Sequence, residues 1–231
     1  EHEKKIDDII TALGDRLPLD TPEKVMVSDI ATAHGGYADI DHTDKDTLRH
    51  LSLIDNCNGI IIRPALLGAI LRFADELSDD STRANRYLNA TGQIPSENMI
   101  FHAYSAALSP IAFNGNTIAF KYYIPFEQAK NRIPNDTGSF LYDEIIKRLS
   151  KCMQELEYCS KYSEGFIRIS TLSVEIHIMN PVTTHRPMNT LKFSLRLSGY
   201  PNAYAIPEDT LTFKTGEALA AHFATQAEVK S

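Results

Sequence analysis

Near Ala90 the hydrophobic period of this chain drops from 3.6 residues to 2, which puts two kinds of element into one molecule. Before the switch, Ile6, Ile9, Ile10 and Leu13 suit one face of a helix that Gly14 ends. "LDTPEKV" offers Thr21 as an N-cap, with Pro22 at the first helical position. That helix carries Val27, Ile30, Ala31 and His34 on its apolar face, and Gly35-Gly36 stop it. A polar loop, "YADIDHTDKD", leads to a short helix around Leu48 to Ile54. Pro64 then opens a long helix striped by Leu66, Ile70, Phe73, Ala74 and Leu77.

After the switch, Ile118, Phe120, Tyr122 and Ile124 alternate as a strand. Asn114-Gly115 predicts a hairpin that pairs this strand, over Thr117 to Tyr123, antiparallel with Met99 to Leu108. Phe140, Leu141, Ile145, Leu149, Cys152, Met153 and Leu156 recur at helical spacing. "FIRISTLSVEIHIMN" and "LKFSLRLS" are strands with one wet face, and a last helix is expected from Gly216 to Gln226. The expected fold class is α+β: an all-α helical bundle over 1–90, then an antiparallel β-sheet with a covering helix over 91–231.

At 231 residues and 43% hydrophobic content the chain can bury a core, as one large domain or two small ones. No apolar run approaches the roughly 18 residues that a membrane helix needs. "EHEKKIDDII" lacks the plan of a secretory signal, so a cytoplasmic setting is expected. Its opening resembles the middle of a helix, so further sequence is expected upstream. A net charge of −7 disfavours non-specific nucleic-acid binding. Cys57, Cys152 and Cys159 form no C-x-x-C pair, and the last two sit two helical turns apart, which predicts reduced thiols.

Two residues stand out for chemistry. Asp75 lies at the edge of the stripe of its helix, as a boundary carboxylate paired with a nearby Arg or as a functional acid. His34 falls on an apolar face before two glycines, as a core histidine or as a metal ligand. Imidazole and carboxylate converging from separate helices build metal sites in helical folds, and His2 could add a third ligand or a phosphate contact. The two are expected to face one another across a groove. The acidic loop does not fit an EF-hand, since Asp44 stands where Gly is needed and His50 where the bidentate Glu is needed. Gly-rich phosphate loops and the G-x-S-x-G elbow are absent from the sequence.

The run Leu71-Arg72-Phe73-Ala74-Asp75-Glu76-Leu77, followed by Asp79, Asp80 and Arg83, resembles the "LRLADELD…R" segment of the HD superfamily of metal-dependent phosphohydrolases. The similarity is greatest to the bacterial subset with a C-terminal α/β extension. "IATAHGGY" matches the helix end that precedes the segment, and His2 in "EHEKKIDDII" resembles the family's upstream "R-x-H-x-x-K/S" start. The His-Asp dipeptide that names the family does not occur here, and the resemblance places it N-terminal to the helix beginning at His2. An HD-like domain over 1–90 is implied, with His34, Asp75 and His2 as metal ligands. Arg83 and Arg86 would cradle a phosphate, or would form a surface salt-bridge face with Asp79 and Asp80. The implied activity is hydrolysis of a nucleotide or other phosphoester by a divalent metal, whether Mn, Mg, Fe, Ni or Zn. The alternative is a regulatory or scaffold module that binds a nucleotide, or a protein through the sheet edge.

Overall fold

In the computed structural model, which describes residues 5–38, 41, 43–78, 94–133, 138–180, 182, 186–200, 204–207 and 209–228, the helix signals ahead of Ala90 become α1 (Ile6–Leu13), α2 (Thr21–Ala33) and α3 (Pro64–Glu76). The cap of α2 is Asp20 and not Thr21. Its carboxylate accepts from the Glu23 N–H at 3.0 Å, and Glu23 accepts from the Asp20 N–H at 2.9 Å. An acid there also meets the positive end of the helix, so it takes the position ahead of the neighbouring hydroxyl.

The buried faces are shifted by one residue from the predicted stripes. On α2, Ser28 is buried while Val27 is 40% exposed; the cost of burying the Ser28 hydroxyl is met by a hydrogen bond to Asp7. On α3, Ala65, Gly68, Ala69 and Phe73 are buried, while Leu67, Ile70 and Leu71 are exposed. A Cβ at Gly68 would lie 2.8 Å from methyls of Leu48 and Leu51. The helix therefore presents its smallest residues where the fully buried Leu48 comes closest.

Between α2 and α3 the predicted short helix is a single 3₁₀ turn, Thr47–His50. It is followed by a small hairpin of β1 (Asp55–Cys57) and β2 (Ile60–Ile62). Its turn residues, Asn58 and Gly59, both have positive φ, at 53° and 83°, the backbone that a tight two-residue hairpin demands.

After Ala90 come α4 (Met99–Ala107), β3 (Ala112–Asn114), β4 (Thr117–Pro125), α5 (Phe126–Lys130), α6 (Leu141–Tyr162), β5 (Thr171–Met179), β6 (Pro187–Arg196) and α7 (Gly216–Glu228). The α+β class holds. Met99–Ala107, predicted as a strand, is helical and buries Ile100, Tyr104 and Ala107. That spacing fits a helix, and the alanines at 103, 106 and 107 favour one. The hairpin turn is where the sequence places it, but the partner of β4 is the three-residue β3; Leu108 alone bridges to Tyr122.

The four-stranded sheet has the order β3-β4-β5-β6. It is mixed and not purely antiparallel, because β4 and β5 run parallel from Thr117↔Thr171 to Pro125↔Met179. Parallel neighbours require a crossover, and α5 and α6 occupy the connection. Ile118, Phe120, Tyr122 and Ile124 of β4 and Leu172, Val174, Ile176 and Ile178 of β5 form the buried face. The hydroxyl of fully buried Tyr122 meets that of Tyr104 at 3.3 Å, and the Arg148 guanidinium of α6 lies over the Tyr104 ring at 4.3 Å, which puts that helix on this face.

Contacts divide the chain into two compact units, Glu1–Glu76 with Glu155–Arg168, and Leu77–Gln154 with Ile169–Ser231. In the second, α7 docks through Phe223 against Phe126, their rings 5.4 Å apart and edge to face. The Gly216 N–H donates to Asp143 Oδ1 at 2.7 Å. A Cβ at Gly216 would meet Phe140 Cγ at 2.6 Å, with Phe140 Cβ nearer still. Gly216→Ala should therefore destabilise the protein by about 1–3 kcal/mol, read as a lowered urea midpoint; an unchanged midpoint would refute the close approach of α7.

Candidate functional site

The first unit is organised around Arg72, on the α3 segment that carries the family resemblance. Its guanidinium donates to both Glu155 oxygens, Nε to Oε2 at 2.6 Å and Nη2 to Oε1 at 3.1 Å. Nη1 donates to Thr47 Oγ1 at 3.1 Å, and the plane stacks over the Tyr158 ring at 4.5 Å. Burial works against the Arg72 charge, but the hydrogen bonds and charge of Glu155 outweigh it and raise its pKa above the ordinary value. Tyr158 in turn accepts from the Leu48 N–H at 2.9 Å, and Thr47 donates to the Ala33 carbonyl at 2.6 Å. Burial drives the Tyr158 phenol upward and pushes the Cys159 thiol to about 12, so Cys159 is an inert structural thiol like the buried Cys57 and Cys152.

The Thr47 bond fixes the last residue of α2 next to His34. His34 is 9% exposed, and its Nδ1–H donates to the Ala31 carbonyl. That bond orients the ring and makes Nε2 the nitrogen with a lone pair. Asp75 lies one turn beyond Arg72 and is exposed. His2, Arg83 and Arg86 lie outside the described residues, as do Asp79 and Asp80.

A groove of ≈ 530 Å³ opens in this unit, lined by Asp7, Ser28, Asp29, Thr32, Thr47, His50 and Asp55 among others. Ala33 lines it; His34 and Asp75 are not among its lining residues. Three carboxylates and several hydroxyls make it rich in acceptors. Sequence reasoning missed these acids because they come from separate segments, although Ser28, Asp29 and Thr32 share a polar arc of α2 that helical projection could have marked.

The donors fall short of a metal centre within the described residues, where no group of three or more His, Cys, Asp or Glu is placed to hold an ion. His34 and Asp75 alone supply one nitrogen and one carboxylate, fewer than a divalent metal takes from protein.

Two acids of the acidic loop are paired. Asp44 pairs with Arg49 at 2.6 Å, and Asp46 accepts from the Tyr162 hydroxyl and from Lys161 at 3.4 Å. Burial alone would raise the Asp46 carboxyl, but hydrogen bonds from Tyr162 and Tyr158 and the Lys161 charge hold it below the ordinary range.

A helical unit that breaks α2 at Ala-His-Gly-Gly and then carries Arg-Phe-Ala-Asp-Glu on α3 has the order of an HD-like domain. The family model HD-CE matches residues 1–151, well over half of the chain, and the chain belongs to the HD-CE family. No curated protein and no solved structure matches it significantly. No described helix is long and apolar enough to cross a membrane.

Arg72→Met should cost about 3 kcal/mol, because it strands the Glu155 carboxylate in a half-buried setting, and a second change, Glu155→Leu, should recover a large part of the loss. Urea melts of the two variants check this; equal stability of single and double variants would sink the pairing. A second expectation follows from pH. A carboxyl depressed in the folded state stabilises above its unfolded pKa and loses that contribution as pH falls through the folded value. Melting temperature should drop on acidification below about pH 4, and Asp46→Asn should flatten part of that drop; parallel wild-type and variant curves would exclude Asp46 as a source.

Proposed function

We propose that the chain is the HD-like part of a divalent-metal-dependent phosphohydrolase acting on a nucleotide or other phosphoester. The family match over residues 1–151 carries this reading, because it spans both segments that resemble the metal helices of the superfamily. A divalent metal would polarise the phosphoryl oxygen and acidify a bound water. In this reading Asp75 supplies a carboxylate ligand. His34 supplies a ligand nitrogen or a hydrogen bond to phosphate, with its ring oriented by the Ala31 carbonyl. His2 would be a third ligand or a phosphate contact, and Arg83 with Arg86 would hold a second phosphate.

A second reading, a regulatory or scaffold module without hydrolysis, draws on β6. Among the described residues this ten-residue strand pairs only with β5, and an open edge of that length can add a partner strand.

Thermal melts with manganese, magnesium and nickel, beside release of phosphate from a nucleotide panel, test the first reading. A metal that binds only the native state adds about 2.7 kcal/mol at a hundredfold excess over Kd, and Asp75→Asn should abolish that gain together with hydrolysis. Equal metal responses of wild type and variant would leave Asp75 a boundary carboxylate and favour the regulatory module.

A further inference from the structure

At one end of the sheet in the second unit, a cavity of ≈ 420 Å³ is lined by Asn116, Ser170, Thr171, Arg196 and Leu197. Strand register brings these residues together: Thr171 pairs with Thr117 on one side and with Arg196 on the other. The acceptors around the cavity are already committed. The Asn116 carbonyl takes the N–H of Ser170 at 2.9 Å and of Thr171 at 3.3 Å, and the Ser170 carbonyl takes the Leu197 N–H at 3.2 Å. The Asn116 side-chain oxygen accepts from Thr117 Oγ1 at 3.4 Å, and Ser170 Oγ accepts from Asn116 Nδ2 at 2.9 Å.

The donors are in surplus. Asn116 Nδ2 keeps a second hydrogen. Ser170 and Thr171 have two hydroxyl protons between them for one mutual contact at 3.5 Å. Arg196 brings the N–H fork of a guanidinium on an exposed residue. Among the described residues, no carboxylate lines the cavity. Glu175, further along the same face, is engaged by Lys192 at 2.7 Å, His177 at 3.3 Å and Lys121 at 3.7 Å. Hydrogen bonds from Lys192 lead the effects that hold it ionised, and burial does not reverse them.

A cavity with one permanent cation, neutral hydroxyl and amide donors and no competing acid is matched to a compact oxyanion with several acceptor oxygens. We infer that Arg196, Thr171, Ser170 and Asn116 form a phosphoryl-binding site in the second unit. The planar Arg196 fork meets two oxygens of the phosphoryl group, and the hydroxyls and amide meet the others. The cavity has room for more than a bare phosphoryl group, so a small phosphate monoester fits as well as the free ion. The site is independent of the first unit and of the hydrolytic reading given to it.

Amide NMR of the intact protein, titrated with inorganic phosphate and with glycerol phosphate against chloride at matched ionic strength, provides the test. Saturable shifts should centre on Thr171 and Leu197. Arg196→Gln should weaken binding about tenfold or more, the change expected for loss of a charge-assisted hydrogen bond, and Arg196→Lys should fall between the two. Tighter binding of glycerol phosphate would identify a monoester as the occupant, and equal binding the free ion; both support the site. Shifts that follow ionic strength alone, that centre on Lys121 and Lys192, or that survive Arg196→Gln would overturn it.

Discussion

The first unit depends on how a single guanidinium is satisfied. Arg72 has five N–H donors and a charge that cannot be neutralised by losing a proton, so half-burying it obliges the chain to deliver acceptors from several places. Glu155 comes from α6, Thr47 from the 3₁₀ turn, and the Tyr158 ring covers the flat face. Each acceptor then ties something else. Thr47 holds the end of α2 at Ala33, and Tyr158 holds the Leu48 backbone. His34 follows Ala33 directly, and Asp75 follows Arg72 by one turn, so both candidate residues adjoin positions that this network fixes. This is the sense in which function lives in a site grafted onto a scaffold.

What could be read from the sequence was what local rules control. The helix and strand periods, the Asn114-Gly115 turn and the α+β class all follow from residues within one element. The starts of α2, α3 and α7 came within a residue, with Asp20 displacing Thr21 because two adjacent capping residues compete and only one meets Glu23. Three features escaped for the opposite reason. The Met99–Ala107 segment satisfies either period over its nine residues. The buried side of α3 is chosen by Leu48 and Leu51, which press on Gly68 from elsewhere in the chain. The parallel pairing of β4 with β5 is set by a crossover of more than forty residues, and no pattern within either strand announces it. For the candidate site, the motif marked α3 but gave Arg72 no role, since its acid stands 83 positions away.

The two units differ in what they offer a ligand. The groove of the first is rich in carboxylates and hydroxyls. The cavity at the sheet end of the second has surplus donors and a lone arginine. A net charge of −7 for the whole chain conceals this opposition, because surface potential is a local property set by which side chains converge and not by their sum.

The interleaving of the units also governs how the molecule can be made. A ribosome adds roughly 5–20 residues per second, so once Arg72 has been synthesised, its partner 83 residues later follows only after roughly 4–17 seconds. During that interval the nascent first unit holds a guanidinium without its carboxylate partner, and β4 is synthesised before the closing helix arrives. Completion of the earlier unit therefore waits on the later one having begun, and the HD-like part cannot finish folding in the order in which it is written.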